Sequence, residues 1–123
     1  MKQLVFVFLG GGIGSMLRYL VGKWLNNPNV DFPYGTFFAN VIGSLLIGII
    51  LGYAGKNDGL TQEQTLFLAT GFCGGFTTFS TFAYENQEFL KSGDLSSFAL
   101  YSIGSFAFGI LAVIGGMYLI KLI

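Results

Sequence analysis

"GFCGGFTTFSTF", residues Gly71 to Phe82, stands in the middle of a long stretch without charge and holds three glycines, four hydroxyls and four phenylalanines. A plain run of leucine and isoleucine would make a better helix, because each interior glycine costs about 1 kcal/mol relative to alanine. So costly a segment in so apolar a setting reads as a helix broken on purpose. The sequence puts the break at Gly74, Gly75, Thr77 and Thr78. A break frees carbonyls at the end of one half-helix and N–H groups at the start of the next. In a bilayer such backbone is tolerated only where it is buried in protein or lines a cavity, and its carbonyls commonly coordinate cations.

Working outward, the 123 residues are 53% hydrophobic and only 10% charged, with mean hydropathy +0.68. Soluble domains carry about a quarter charged residues, so this chain has too few charges to cover a water-facing surface. A bilayer core takes about 20 apolar residues as a helix. Runs near residues 3–24, 35–54, 63–90 and 96–121 meet that length. Between them lie "NNPNVDFP" (26–33), "GKNDGLTQEQ" (55–64) and "KSGDLS" (91–96), rich in turn formers. Thr61 and Gln64 have capping-box spacing at the start of the third run. The expectation is an all-α membrane protein, a single four-helix domain over 1–123 with its third helix broken mid-membrane. The first run begins like a signal peptide, after Lys2, but it lacks an A-x-A-like site and continues into "GGGIGSMLRY" (10–19), so it reads as a retained span.

Six basic and six acidic residues give zero net charge, which argues against a nucleic-acid partner. Histidine is absent, and with it the usual general base and transition-metal ligand. The single cysteine, Cys73, lies in an apolar run and reads as a small core residue. With no nucleophile–base pair and no ligand cluster, an enzyme is not expected.

Orientation follows the excess of Lys and Arg at the cytoplasmic ends of spans. Lys2, Lys56 and Lys121 fall on one side, and Arg18, Lys23 and Lys91 on the other. The difference is zero, so the chain is expected to insert either way up and to pair as an antiparallel homodimer. The alternative is one orientation imposed by folding or by a translocation partner. Gly10 and Gly14, Gly48 and Gly52, and Gly71 and Gly75 have the G-x-x-x-G spacing of closely packed membrane helices.

Polar groups in lipid usually face the bundle interior or a cavity. Thr36, Asn40 and Ser44 recur every four residues along the second span, and Ser97, Tyr101 and Ser105 along the fourth. The third contributes Thr77, Thr78, Ser80 and Thr81. Single hydroxyls often bond only their own helix. Two stripes and an asparagine favour a polar track instead. Uncharged donors can replace the water shell of a small anion without trapping it. Phe79 and Phe82 share a face, and their positive ring edges can also receive an anion.

At these residues the sequence resembles the small fluoride channels called Fluc or CrcB, through "GGGIGSMLRY" (10–19), "PYGTFFANVIGS" (33–44) and "GFCGGFTTFSTFAYE" (71–85). The resemblance implies a dual-topology homodimer in a bacterial inner membrane, surrounded by lipid, with two fluoride pores beside the dimer interface. It implies Asn40 as the pore amide donor and Phe79 and Phe82 as aromatic fluoride ligands. Thr36, Ser80, Thr81, Tyr101 and Ser105 match pore-side hydroxyls, Glu85 an acidic residue near a pore end, and Arg18 a basic residue of a vestibule. The carbonyls of Gly74 and Thr77 would bind a structural sodium ion shared by both subunits. Gly109 departs from the pattern, because some relatives carry a further hydroxyl one turn beyond Ser105. The implied role is passive exit of cytoplasmic fluoride. The rivals are a proton-coupled exporter of the small multidrug-resistance kind, a fluoride–proton exchanger and a purely structural membrane subunit. Both exchangers need a titratable group inside the membrane, and the only candidates, Glu85 and Glu88, sit toward the end of the third span.

Overall fold

Three of the four apolar runs fold as unbroken helices, in a computed structural model that describes residues Met1–Ile123. Helix α1 (Lys2–Leu25) stops where Asn26 turns to an extended conformation, and the Asn26 carboxamide oxygen accepts the N–H of Gly35 at 2.8 Å. That bond ties the end of α1 to the start of α2 (Tyr34–Ala54) across the first connector. The third span begins at a complete capping box. Gln64 N–H donates to Thr61 Oγ1 at 3.2 Å, and Thr61 N–H donates to Gln64 Oε1 at 2.9 Å. A left-handed Gly93 (φ 79°) ends it, and Asp94 caps α6 (Leu95–Lys121) by accepting the N–H of Ser97 at 3.1 Å. Hydrogen bonding from Ser97, side chain and then backbone, holds the Asp94 carboxyl below its ordinary 3.8. Helices Lys2–Leu25, Tyr34–Ala54, Gln62–Ser92 and Leu95–Lys121 are each long and apolar enough to cross a membrane.

The third span is long and bent. It runs through α3 (Gln62–Thr65), a π-helical stretch (Leu66–Cys73), α4 (Gly74–Phe76), an extended pair Thr77–Thr78, and α5 (Phe79–Ser92). The break therefore excludes Gly74 and Gly75, contrary to the reading of the sequence: both glycines stay helical and only the two threonines leave the helix. The physical reason is packing. A β-carbon on Gly75 would collide with the Gly11 carbonyl of α1, so this glycine serves close approach rather than bending.

The same logic runs the length of that seam. Side chains at Gly10 or Gly14 would strike the carbonyls of Phe67 or Phe72, and one at Gly71 would lie 2.9 Å from the Val7 carbonyl oxygen. The G-x-x-x-G pairs of α1 and the third span thus face each other. A second seam joins α2 to α6, where Gly48 meets the Val113 carbonyl and Gly116 the Leu45 carbonyl. Only 17 of 123 residues are buried, and the exposed ones include most of the Leu, Ile and Phe of α1 and α6. An outer surface this apolar is one that lipid or another protein must cover.

Candidate functional site

The two threonines are held open by named partners. Asn40 on α2 clasps Thr78 from both sides: its Oδ1 accepts the Thr78 N–H at 2.8 Å, and its Nδ2 donates to the Thr78 carbonyl at 3.1 Å. In an unbroken helix that N–H would return to the Gly74 carbonyl four residues back. Asn40 diverts it. Thr78 then caps α5, its Oγ1 accepting the N–H of Thr81 at 3.2 Å. That is the N–H an unbroken helix would return to the Thr77 carbonyl. Gly74 and Thr77 thus lose their helical partners to side chains that point elsewhere. Arg18 closes the neighbouring position, donating from Nε to the Gly75 carbonyl at 3.0 Å, with Ser15 Oγ at 3.5 Å from the same oxygen.

Around the break α2, the third span and α6 enclose a groove of about 980 Å³. Asn40, Thr77, Thr78, Phe79, Phe82 and Ser105 all line it. One Asn40 N–H is spent on Thr78 and the second has no partner. Ser105 Oγ is enclosed without any hydrogen-bond partner, so its proton is free to be donated. Ser44 falls to the bland alternative, bonding the Asn40 carbonyl of its own helix at 2.7 Å. Phe79 is 79% exposed and its ring lies 5.9 Å from that of Phe82, tilted by 45°. Phe82 in turn lies 4.9 Å from the ring of Tyr101. A β-carbon at Gly109 would sit 3.7 Å from Ser44 Oγ, so α6 offers backbone there and no hydroxyl.

On the far side of the break lies a cleft of about 410 Å³ with Arg18, Lys23, Thr36, Thr81 and Glu85 in its wall. Thr78 belongs to both cavities and marks where they meet. Glu85 accepts from Thr36 Oγ1 at 2.8 Å and from the hydroxyl of Tyr101, which is fully buried, at 2.7 Å. These two hydroxyls, expected as donors to an anion, therefore give their protons to a carboxylate. Thr81 Oγ1 accepts from Thr78 Oγ1 at 3.2 Å and keeps its own proton. Ser80 is exposed, 3.3 Å from the Thr78 hydroxyl. A third cavity, about 440 Å³, gathers Asp31, Glu85, Glu88 and Asp94 beyond it.

The sequence reading therefore meets its structure in two places. Asn40, Phe79, Phe82, Ser105, Gly74 and Thr77 share the groove; Arg18, Thr36, Thr81 and Glu85 share the cleft; Tyr101 stands behind both. Sequence reasoning missed Ser102, Thr70 and Cys73 as groove residues. The three-residue spacing of Ser102 and Ser105 carried the signal, but Ser102 lies outside the Ser97–Tyr101–Ser105 register. No group of three or more His, Cys, Asp or Glu side chains is placed to hold a metal ion.

Residues 5–117 match the family described as CrcB-like protein, Camphor Resistance (CrcB). The chain is 48% identical over 124 residues to the fluoride-specific ion channel FluC of Gloeothece citriformis, covering 98% of each chain. To the protein of that name from Bacteroides fragilis it is 46% identical, over 97% of this chain and 96% of the relative. For the Nitrobacter winogradskyi protein the figures are 43%, 98% and 96%.

Proposed function

Because the chain belongs to the CrcB-like family, we propose that it is a fluoride-selective ion channel, a multi-pass bacterial membrane protein whose work is transport and not catalysis. The observation that carries this reading is the groove at the break, where Ser105 Oγ and one Asn40 N–H have protons and no partner. Fluoride leaving water must exchange its hydration shell for protein donors. Neutral donors do this while leaving the ion weakly enough held to move on. The edges of Phe79 and Phe82 add positive partial charge without a formal one. Arg18 and Lys23 line the cleft beyond Thr78 and raise the local anion concentration there.

Two copies inserted in opposite senses form the working unit, with two pores. Support for this comes from the balanced Lys and Arg distribution and from the uncovered apolar faces of α1 and α6. Gly74, with open space on its side, and Thr77 would hold one sodium ion through the carbonyls that Asn40 and Thr78 deprive of helical partners. Neutral oxygen donors fit a hard cation, and the ion would supply a fixed positive charge that joins the two copies. Export needs no energy coupling, since an inside-negative potential favours anion exit by about 2.3 kcal/mol per 100 mV.

Purified protein in liposomes, with a fluoride electrode and an ionophore clamping the voltage, tests the reading. Fluoride should leave far faster than chloride; equal fluxes would remove the selectivity. The rival exporter rests on Glu85, a carboxylate held between helices, and predicts flux that stops without a proton gradient. Adding lysines to one connector should abolish activity until an oppositely biased partner is supplied, whereas undiminished flux from one orientation would refute the antiparallel pair.

A further inference from the structure

Asn86 on α5 is 7% exposed and lies outside the groove, yet it decides what one groove residue presents. Its Nδ2 donates to the Phe82 carbonyl at 3.2 Å, and its Oδ1 accepts from Ser102 Oγ at 3.1 Å. The assignment follows from the backbone. A carbonyl only accepts, so the amide nitrogen must face Phe82. The amide oxygen then faces Ser102, and because that oxygen carries no hydrogen, Ser102 must be the donor. A hydroxyl has one hydrogen, so Ser102 turns only lone pairs toward the groove it lines. Ser105, one turn further along α6, is the opposite case, its hydroxyl without a partner. Two serines on one wall thus have opposite character, one offering a proton and the other withholding it.

We infer that Asn86 is a positioning residue for anion passage: it holds the Ser102 proton out of the groove, so that the ion meets one hydroxyl donor on this stretch of α6 and not two. Conduction requires sites weak enough to leave. A second donor beside Ser105 would deepen the site and slow release. This inference rests on the anion-channel reading above.

Fluoride efflux from liposomes is measured at a series of fluoride concentrations for the wild type, Asn86→Leu, Ser102→Ala and the double variant. Leucine matches asparagine in side-chain heavy-atom count and branching but accepts no hydrogen bond, so Asn86→Leu frees the Ser102 proton. Half-saturation should then fall by about threefold to tenfold, the worth of one net hydrogen bond, and maximal efflux should drop. Ser102→Ala alone should not tighten half-saturation, and in the double variant the tightening caused by Asn86→Leu should disappear. Loss of packing alone predicts the reverse order, with the double variant worst and no tightening in any variant. An unchanged half-saturation in Asn86→Leu, or a double variant no closer to wild type, overturns the inference. If Asn86→Leu does not assemble like the wild type in size exclusion, Asn86→Ser serves. Its short hydroxyl bonds its own helix and cannot reach Ser102, so the same tightening and the same reversal are expected. A wild type that releases no fluoride sinks the channel reading itself, whereas wild-type efflux with a flat cycle sinks only the role of Asn86.

Discussion

The two halves of the third span are held in different ways. Before the break, Leu66–Phe76 lies backbone to backbone on α1, with Gly71 and Gly75 against Gly10 and Gly11. After it, α5 is fixed by side chains that reach across: Thr36 and Tyr101 to Glu85, and Ser102 to Asn86. Glycine seams gain dispersion by proximity and admit no water. Hydrogen-bonded contacts leave room between helices, and both larger cavities border α5. The first half anchors the span and reaches only the groove, whereas the second borders all three cavities.

The strongest way to break this contrast is at the joint. Asn40→Leu strands both the N–H and the carbonyl of Thr78, at about 1–3 kcal/mol for each unpaired group. Thermal unfolding in detergent should report the sum and liposomes should lose fluoride flux; a stable, conducting variant would show that Asn40 does not hold the break. Asn40→Asp should also abolish flux, by placing a negative charge among the donors. Next comes the anchor. Gly10→Ala pushes a methyl into the backbone of Phe67 and Phe72 and should cost about 3 kcal/mol, the upper part of the overpacking range. Gly12→Ala, two residues on and with nothing in reach, should be neutral or gain up to about 1 kcal/mol. Equal effects at the two positions would dissolve the distinction between the halves. Arg18→Met removes a charged donor from the Gly75 carbonyl and should cost about 1.5 kcal/mol. The smallest effect lies outside the membrane. The Asp94 carboxyl titrates below its unfolded value, so its cap is intact above pH 3.8 and is lost as pH falls through the lower folded value. Asp94→Ala should erase that acid-side change in the melting curve and leave flux at neutral pH untouched.

Much of this was legible in the sequence, for reasons that can be named. Bilayer thickness dictates apolar run length, so the four helices could be read directly. The paired glycines announced close packing, though not which pair meets which. Of the four residues read as the break, Thr77 and Thr78 leave the helix and Gly74 and Gly75 do not, because helix propensity is a weak cost that a good seam on α1 outweighs. Thr78 as the cap of α5 was the better signal, with Thr81 following at capping distance. What the sequence could not tell is which protons are already spent. Asn40 bonds a residue 38 positions away, and Thr36 and Tyr101 bond a carboxylate from a third helix. Stripes locate hydroxyls; only the fold says where their hydrogens point.

The extended pair Thr77–Thr78 has one more consequence. It sets the tail of one helical segment against the head of another, so aligned peptide dipoles present a partial negative pole and a partial positive pole a few residues apart. Such poles favour a cation at one place and an anion at its neighbour through groups that never titrate. That polarity persists wherever the backbone keeps its shape, in acid or in alkali alike.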